Sequence, residues 1–142
     1  MLLNMRISRS LATDLLQNTP SAPPESGGIL GAKDGIVTDY FADKGLPDKT
    51  GYGTYAPNTT LLNEIIGNWA KDDIDFCGLY HTHLPGGISL SDADKEYIRE
   101  ILIAAKKDKL FFPILLDNQM IVYCAYWIKN RLCTERVDAE LI

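Results

Sequence analysis

The residues best suited to chemistry lie in one stretch, between His81 and Asp94. His81 and His83 are the only histidines in the chain, and an apolar run ending at Tyr80 leads into them. On a strand, residues i and i+2 point to the same face, so the two imidazoles project side by side. Ser91-x-x-Asp94 follows at the start of a predicted helix, from which Asp94 faces inward. Two imidazoles and one carboxylate, with a vacant fourth position, have the composition of a catalytic zinc site.

Each part of this stretch also has an ordinary structural explanation. A lone His-x-His pair is a weak signal of metal binding. Ser91-x-x-Asp94 equally matches a capping box, with Ser91 at the N-cap and Asp94 favoured in the first turn by the helix dipole. The two interpretations are compatible, since Ser91 can cap through one lone pair and still reach the site. Cys77 is excluded as a nucleophile with His81 as its base, because four strand residues separate them by roughly 13 Å.

Composition indicates a single globular domain over residues 1–142. Of the 142 residues, 46% are hydrophobic and 23% are charged, which is enough for a core without disulfides. The net charge is −5, and no basic run is longer than Lys106-Lys107, so nucleic acid is not expected as a partner. Cys77, Cys124 and Cys133 are odd in number and form no Cys-x-x-Cys pair, so we expect reduced thiols.

The hydrophobic pattern of the sequence also predicts the cellular location of the protein. No stretch approaches the roughly 18 apolar residues that a membrane helix needs. Met1 to Met5 runs into polar residues and lacks a signal-peptide profile. We therefore expect a cytoplasmic protein without a membrane partner. The sequence leaves the oligomeric state open.

The elements that must position these residues follow from hydrophobic periodicity and turn signals. Three helices are predicted, one beginning at Ser8 or Ser10, one at residues 57–60 and one at Ser91. Strands are predicted over residues 2–7, 25–31, 36–42, 75–82, 110–116, 120–128 and 134–141, with hairpin turns at Asp34-Gly35 and Asp117-Asn118. The result is one α/β domain with about three helices on a mixed, largely antiparallel sheet.

The order and spacing of these residues resemble those of a known family. His81-x-His83, seven residues, Ser91, two residues and Asp94 resemble the JAMM motif of the JAB/MPN metalloproteases. The Glu-Ser-Gly-Gly-Ile-Leu-Gly run of residues 25–31 is similar to that family's glutamate-bearing strand. The match in order and spacing covers roughly residues 8–128. It implies the family's fold, a curved sheet flanked by helices, in a small prokaryotic member.

The resemblance also implies a role for each residue. His81, His83 and Asp94 would bind Zn²⁺. Glu25 would act as the general base and then protonate the leaving amine. Ser91 would donate a hydrogen bond to the oxyanion of the tetrahedral intermediate. The substrate would be an amide or isopeptide bond at the C-terminal tail of a ubiquitin-like or sulfur-carrier-like protein.

Two other functions compete with this one. The first is a non-catalytic MPN-type module that binds a protein partner, although members of that kind lose the ligands. The second is a RadC-like JAB protein linked to DNA metabolism, which the acidic charge disfavours.

Two loop features concern the substrate side of the predicted site. The family usually has Pro directly after the second histidine, whereas here Leu84 intervenes and Pro85 follows. Because the count from His83 to Ser91 is preserved, the ligands should stay in register. Glycines at 27–28 and 86–87 fit a narrow groove that admits an extended chain, since glycine in a strand often marks close approach of another backbone or a ligand.

Overall fold

The computed structural model describes residues 4–20, 25–45, 57–83 and 89–142. Within these ranges the chain forms eight strands and three helices. In chain order they are β1 (Met5–Ile7), α1 (Arg9–Asn18), β2 (Gly27–Lys33), β3 (Ile36–Asp43), α2 (Thr59–Lys71), β4 (Asp75–Thr82), α3 (Asp92–Ala105), β5 (Lys109–Leu116), β6 (Gln119–Ile128), β7 (Arg131–Val137) and β8 (Ala139–Leu141). None of these helices is long and apolar enough to cross a membrane.

All eight strands belong to one mixed sheet, in the order β7-β6-β5-β4-β2-β3-β1-β8. The pairs β2–β3, β2–β4, β5–β6 and β6–β7 are antiparallel. The pairs β4–β5, β1–β3 and β1–β8 are parallel. The predicted α/β class, with about three helices on a mixed sheet, is therefore confirmed for the described part of the chain.

The sheet is nearly barrel-shaped, whereas the sequence predicted a simply curved one. β7 and β8 stand at opposite ends of the strand order, yet only Asp138 lies between them in the chain. The backbone N–H of Met5 donates to the carbonyl of Asp138 at 3.0 Å, which fastens β1 to this junction. Because one residue cannot span an open sheet, the two edges must come together here.

The helices cover both faces of the sheet. Ala12 and Leu15 of α1 pack into a buried cluster with residues of β1. Leu62 of α2 and Ile98 and Leu102 of α3 pack into a second cluster. Neighbouring residues on β2 and β4 alternate between the two clusters, as expected for opposite faces of a strand. Burying each of these leucine and isoleucine side chains stabilises the fold by about 1.5–3 kcal/mol.

α3 is the element that brings helix and strand chemistry together. It connects the parallel neighbours β4 and β5, so its N-terminus lies after the carboxyl end of β4. Parallel strands require such a crossover, and ligand sites in α/β sheets favour the carboxyl ends of strands. The helix begins after Ser91 and ends at Lys106, which adopts a left-handed conformation with φ 53°.

The ends of the chain differ from the sequence prediction in detail. The single edge strand expected over residues 134–141 is wrong, because two strands form there. β7 begins after a turn at Lys129 and Asn130, whose positive φ values of 48° and 63° suit a tight hairpin. β8 instead pairs with β1 at the other edge of the sheet. Of the strand predicted over residues 2–7, positions 2 and 3 lie outside the described residues.

The strand glycines are required by the protein's own backbone. A Cβ atom on Gly28 would overlap the carbonyl oxygen of Phe41 and the ring of Tyr80. One on Gly78 would overlap the carbonyl oxygen of Phe111. The space beside Gly28 is therefore filled from within, and the prediction that it opens a groove for an extended chain is wrong at this position. Gly86 and Gly87 lie outside the described residues.

We predict that Gly78→Ala lowers the free energy of unfolding by about 1–3 kcal/mol, because backbone atoms of Phe111 cannot yield to the added methyl group. Gly67→Ala is the matched control. In the described structure nothing lies within 4 Å of a Cβ at Gly67, which is in α2, so this variant should gain about 0.5–1 kcal/mol. Urea denaturation with an unchanged m-value measures both changes. Equal stability of the two variants would contradict the close approach.

Candidate metal centre

The two histidines stand at the carboxyl end of β4, on the face covered by α2 and α3. A bulge determines which face this is. Leu30 of β2 pairs with Gly78, but Gly31 pairs with Phe76, so Cys77 is an extra residue on β4. After the bulge, Leu79 packs in the cluster under α2 and α3. His81 follows at the period of two, and His83 continues it just beyond the end of the strand.

Asp94 reaches the histidines from the first turn of α3. The Ser91 hydroxyl accepts a hydrogen bond from the backbone N–H of Asp94 at 3.0 Å, and Ser91 N–H donates to Asp94 Oδ2 at 3.0 Å. This is a complete capping box. The predicted cap and the predicted inward carboxylate therefore exist together, because the same geometry produces both.

The three side chains converge at their polar atoms. His81 Nε2 lies 3.8 Å from Asp94 Oδ1, and His83 Nε2 lies 3.4 Å from Asp94 Oδ2. The imidazole centroids are 4.6 Å apart, with an angle of 61° between the rings. One ligand atom from each residue falls within 4.8 Å of the others. Atoms bound at about 2.0–2.2 Å to one ion lie at most ~4 Å apart, so small side-chain movements would close the group onto a metal.

The electrostatics favour the metal-binding protonation states of His81 and Asp94. Burial and the neighbouring imidazole of His83 lower the pKa of His81 to about 4, against a raising effect of Asp94. Burial alone would raise the pKa of Asp94. Hydrogen bonds from His83 and from the Ser91 backbone, together with the charges of both histidines, bring it down to about 2. At neutral pH the group therefore offers a neutral His81 and an ionised Asp94, as metal binding requires.

One nitrogen of this group has no hydrogen-bond partner among the described residues. His81 Nε2 is buried and makes no hydrogen bond within the described structure. A buried polar atom in that state costs about 1–3 kcal/mol, and native proteins rarely keep one without reason. A metal ion would satisfy the lone pair of this nitrogen, so the residues present fit the metal that the resemblance implies.

The segment that contains Glu25 is paired with the end of the strand that carries the histidines. β2 begins at Gly27, which pairs with His81, and the carbonyl of Ser26 accepts from the N–H of Thr82 at 2.8 Å. Extending this antiparallel order by one residue predicts that Glu25 stands opposite His83, on the face of the histidines. The side chain is half-buried. The structure thus brings the segment containing Glu25 to the predicted metal group across 56 residues of sequence.

Two further sequence predictions concern residues around the group. Cys77 donates to the carbonyl of Leu30 at 3.5 Å, and burial raises its pKa to about 12, so its thiol is inert at neutral pH. Leu84 and Pro85 lie outside the described residues. Thr82, the residue between the histidines, carries no functional signal in the sequence, because β-branched residues are common in strands.

No family model matches the sequence, and no curated protein matches it. Solved structures do. The solution structure of protein DSY2949 from Desulfitobacterium hafniense is 16% identical, with a TM-score of 0.64 over 96% of this chain and 93% of that one. The crystal structure of AF2198, a JAB1/MPN domain protein from Archaeoglobus fulgidus, is 18% identical, with a TM-score of 0.56 over 98% of both chains.

The chain has the JAB1/MPN fold. This confirms the fold that the motif implied, and the group formed by His81, His83 and Asp94 could hold a metal ion within it. At identities of 16% and 18% the likeness establishes architecture alone.

We predict that the metal-free protein loses stability as the pH falls from about 6.5 towards 4. The pKa of His81 is about 4 in the folded state and about 6.5 in the unfolded chain. The unfolded state therefore binds the proton first, and stability that is fully present above pH ~6.5 is lost through this window.

Urea unfolding with a chelator, between about pH 7.5 and 4.5, measures this loss. Wild-type protein should lose about 2 kcal/mol more than His81→Asn over this range. Parallel losses in the two proteins would contradict a neutral, buried His81.

Proposed function

We propose that this protein is a zinc-dependent peptidase or isopeptidase of the JAB/MPN kind. One observation carries the proposal: in a JAB1/MPN fold, the Nε2 atoms of His81 and His83 and the carboxylate of Asp94 converge, and His81 Nε2 is buried without a hydrogen bond in the described structure. A three-residue ligand set with an open position is typical of catalytic rather than structural zinc.

Zinc would be held by His81, His83 and Asp94. When bound, it supplies Lewis acidity and lowers the pKa of a water in the open position to about 7. The protein's contribution is to keep the ligands in order before the metal arrives. The pairing of β4 with β2 and β5 holds His81, and the N–H of His83 donates to the carbonyl of Leu115 at 3.3 Å. The capping box holds the carboxylate.

Glu25 would manage the proton in this reaction. It would take a proton from the water as this water attacks the carbonyl carbon of the substrate. It would then give the proton to the amine as the carbon–nitrogen bond breaks. A single carboxylate suits both tasks, because it is regenerated at the end of the cycle. The backbone position of Glu25, beside the end of β4, supports this role.

Ser91 would stabilise the negative charge that develops on the carbonyl oxygen of the substrate. Its oxygen accepts the N–H of Asp94 in the helix cap, which uses a lone pair and leaves the O–H to donate elsewhere. The hydroxyl also stands at the N-terminus of α3, where the helix dipole favours negative charge.

The substrate class is proposed from the resemblance of the motif. An amide or isopeptide bond at the C-terminal tail of a ubiquitin-like or sulfur-carrier-like protein would be cleaved.

We predict that purified protein binds one equivalent of zinc and that Asp94→Asn weakens this binding strongly, whereas Asp92→Asn does not. Both carboxylates belong to the first turn of α3, but only Asp94 lies beside the histidines. Removing one of three ligands should raise the dissociation constant by at least about 100-fold. Competition with a chromogenic chelator measures it. Equal zinc affinity of the two variants would remove Asp94 from the site.

We predict that Glu25→Gln lowers kcat by about 10²–10⁴-fold while zinc stays bound, because the amide cannot accept the proton. Cleavage of a ubiquitin-like protein carrying a C-terminal extension, followed by mass spectrometry, provides the assay. The control is Glu64→Gln, an exposed carboxylate on α2. Zinc binding without cleavage by the wild-type protein would favour the non-catalytic interaction module. Hydrolysis that survives His81→Ala would contradict the metal mechanism.

A further inference from the structure

The residue between the two histidines is joined to the segment that carries Glu25. The Thr82 backbone N–H donates to the carbonyl of Ser26 at 2.8 Å. The N–H of Ser26 donates to Thr82 Oγ1 at 2.9 Å, and the same hydroxyl donates to the Ser26 carbonyl at 3.4 Å. Thr82 thus satisfies both backbone groups of Ser26, one of them twice.

The hydroxyl takes the place of a backbone acceptor. In an antiparallel pair of this type, the N–H of Ser26 would ordinarily donate to the main-chain carbonyl of its partner. Here it donates to the side chain, at the point where the strand pairing ends with Gly27 and His81. The side chain of Thr82 therefore prolongs the contact between β2 and β4 by one residue beyond their ladder.

Thr82 is well placed to do this without touching the metal group itself. It is only 3% exposed. Thr82 lies between His81 and His83 on an extended chain, so its side chain points to the face of the strand opposite the two imidazoles. A change in its hydroxyl acts on Ser26 and not on the imidazoles.

We propose that Thr82 is a positioning residue, whose hydroxyl fixes the Ser26 backbone and thereby the place of Glu25 relative to His81 and His83. The inference rests on the proposed function. Glu25 is directly bonded to Ser26, so once the peptide of Ser26 is fixed, few rotations separate it from the carboxylate. Thr82 is likewise bonded to both histidines. A few covalent bonds and the hydrogen bonds of the Thr82 hydroxyl thus join the Glu25 segment to the two histidines.

This placement matters because proton transfer depends on distance. A displacement of about 1 Å in a reacting group can lower a rate by about 10²-fold. Metal binding should be far less sensitive, because none of the ligands moves. The signature of the role is therefore a lower kcat with little change in KM or in zinc affinity.

The test compares Thr82→Val, which keeps the branched shape without the hydroxyl, with Thr82→Ser, which keeps the hydroxyl. Thr38→Val is the control: it removes a hydroxyl from the same sheet, where Thr38 donates to Asp39 at 2.7 Å. Two quantities are measured, the exchange rate of the Ser26 amide hydrogen by NMR and the kcat, KM and zinc affinity of the loaded enzyme.

In Thr82→Val we expect the Ser26 amide to exchange about tenfold faster, as for the loss of one hydrogen bond. We expect kcat to fall about 10–100-fold, with KM and zinc affinity near those of the wild type. Thr82→Ser should restore both quantities to within about threefold of the wild type, and Thr38→Val should alter neither. Thr82→Ala also lacks the hydroxyl and replaces the valine variant if that one does not fold.

Two results would overturn the proposal: unchanged exchange at Ser26 in Thr82→Val, or faster exchange with an unaltered kcat. Failure of the proposed function is a separate outcome. If the wild-type protein binds no zinc and hydrolyses nothing, that function is wrong. The exchange rates still decide, without any activity, whether Thr82 anchors the segment.

Discussion

The carboxylate of Asp94 is the contact on which the rest of the site depends, because it joins the start of α3 to the end of β4. Its Oδ2 accepts the N–H of Ser91 at 3.0 Å and lies 3.4 Å from His83 Nε2, while its Oδ1 faces His81. A carboxylate has about four lone-pair sites, so it can cap a helix and still offer an atom to a metal. The same carboxylate therefore determines both where α3 begins and where a cation would bind.

The arrangement of the histidines beside Asp94 lowers the stability of the metal-free protein. A neutral imidazole nitrogen is kept buried at His81 without a hydrogen bond in the described structure, which disfavours the metal-free fold. The strand that carries it can tolerate this because β4 is paired on both sides, with β2 and β5. A site built on an edge strand would relax and let the imidazole turn towards solvent. Central placement keeps the two histidines ordered without a bound ion.

The sequence predicts the local elements well and the long-range pairing poorly. The strand predicted over residues 75–82 is observed as β4, and the turn predicted at Asp117-Asn118 has positive φ at both residues. The bulge at Cys77 could not be predicted, because a bulge is a mismatch between two strands and a period of two describes only one. The contact of Thr82 with Ser26 escaped prediction for the same reason, since it arises only after β2 and β4 are aligned.

The junction at Asp138 has a consequence for how the chain reaches this fold. It closes the sheet by pairing Met5 with Ala139, whereas the site needs Gly27 to meet His81, a much shorter separation. Loop-closure entropy grows only with the logarithm of length, so the longer closure costs about 0.8 kcal/mol more at equilibrium. Its effect on rate is larger, because contacts between distant parts of a chain raise the contact order and slow folding. The junction at Asp138 therefore affects the folding rate more than the free energy of unfolding.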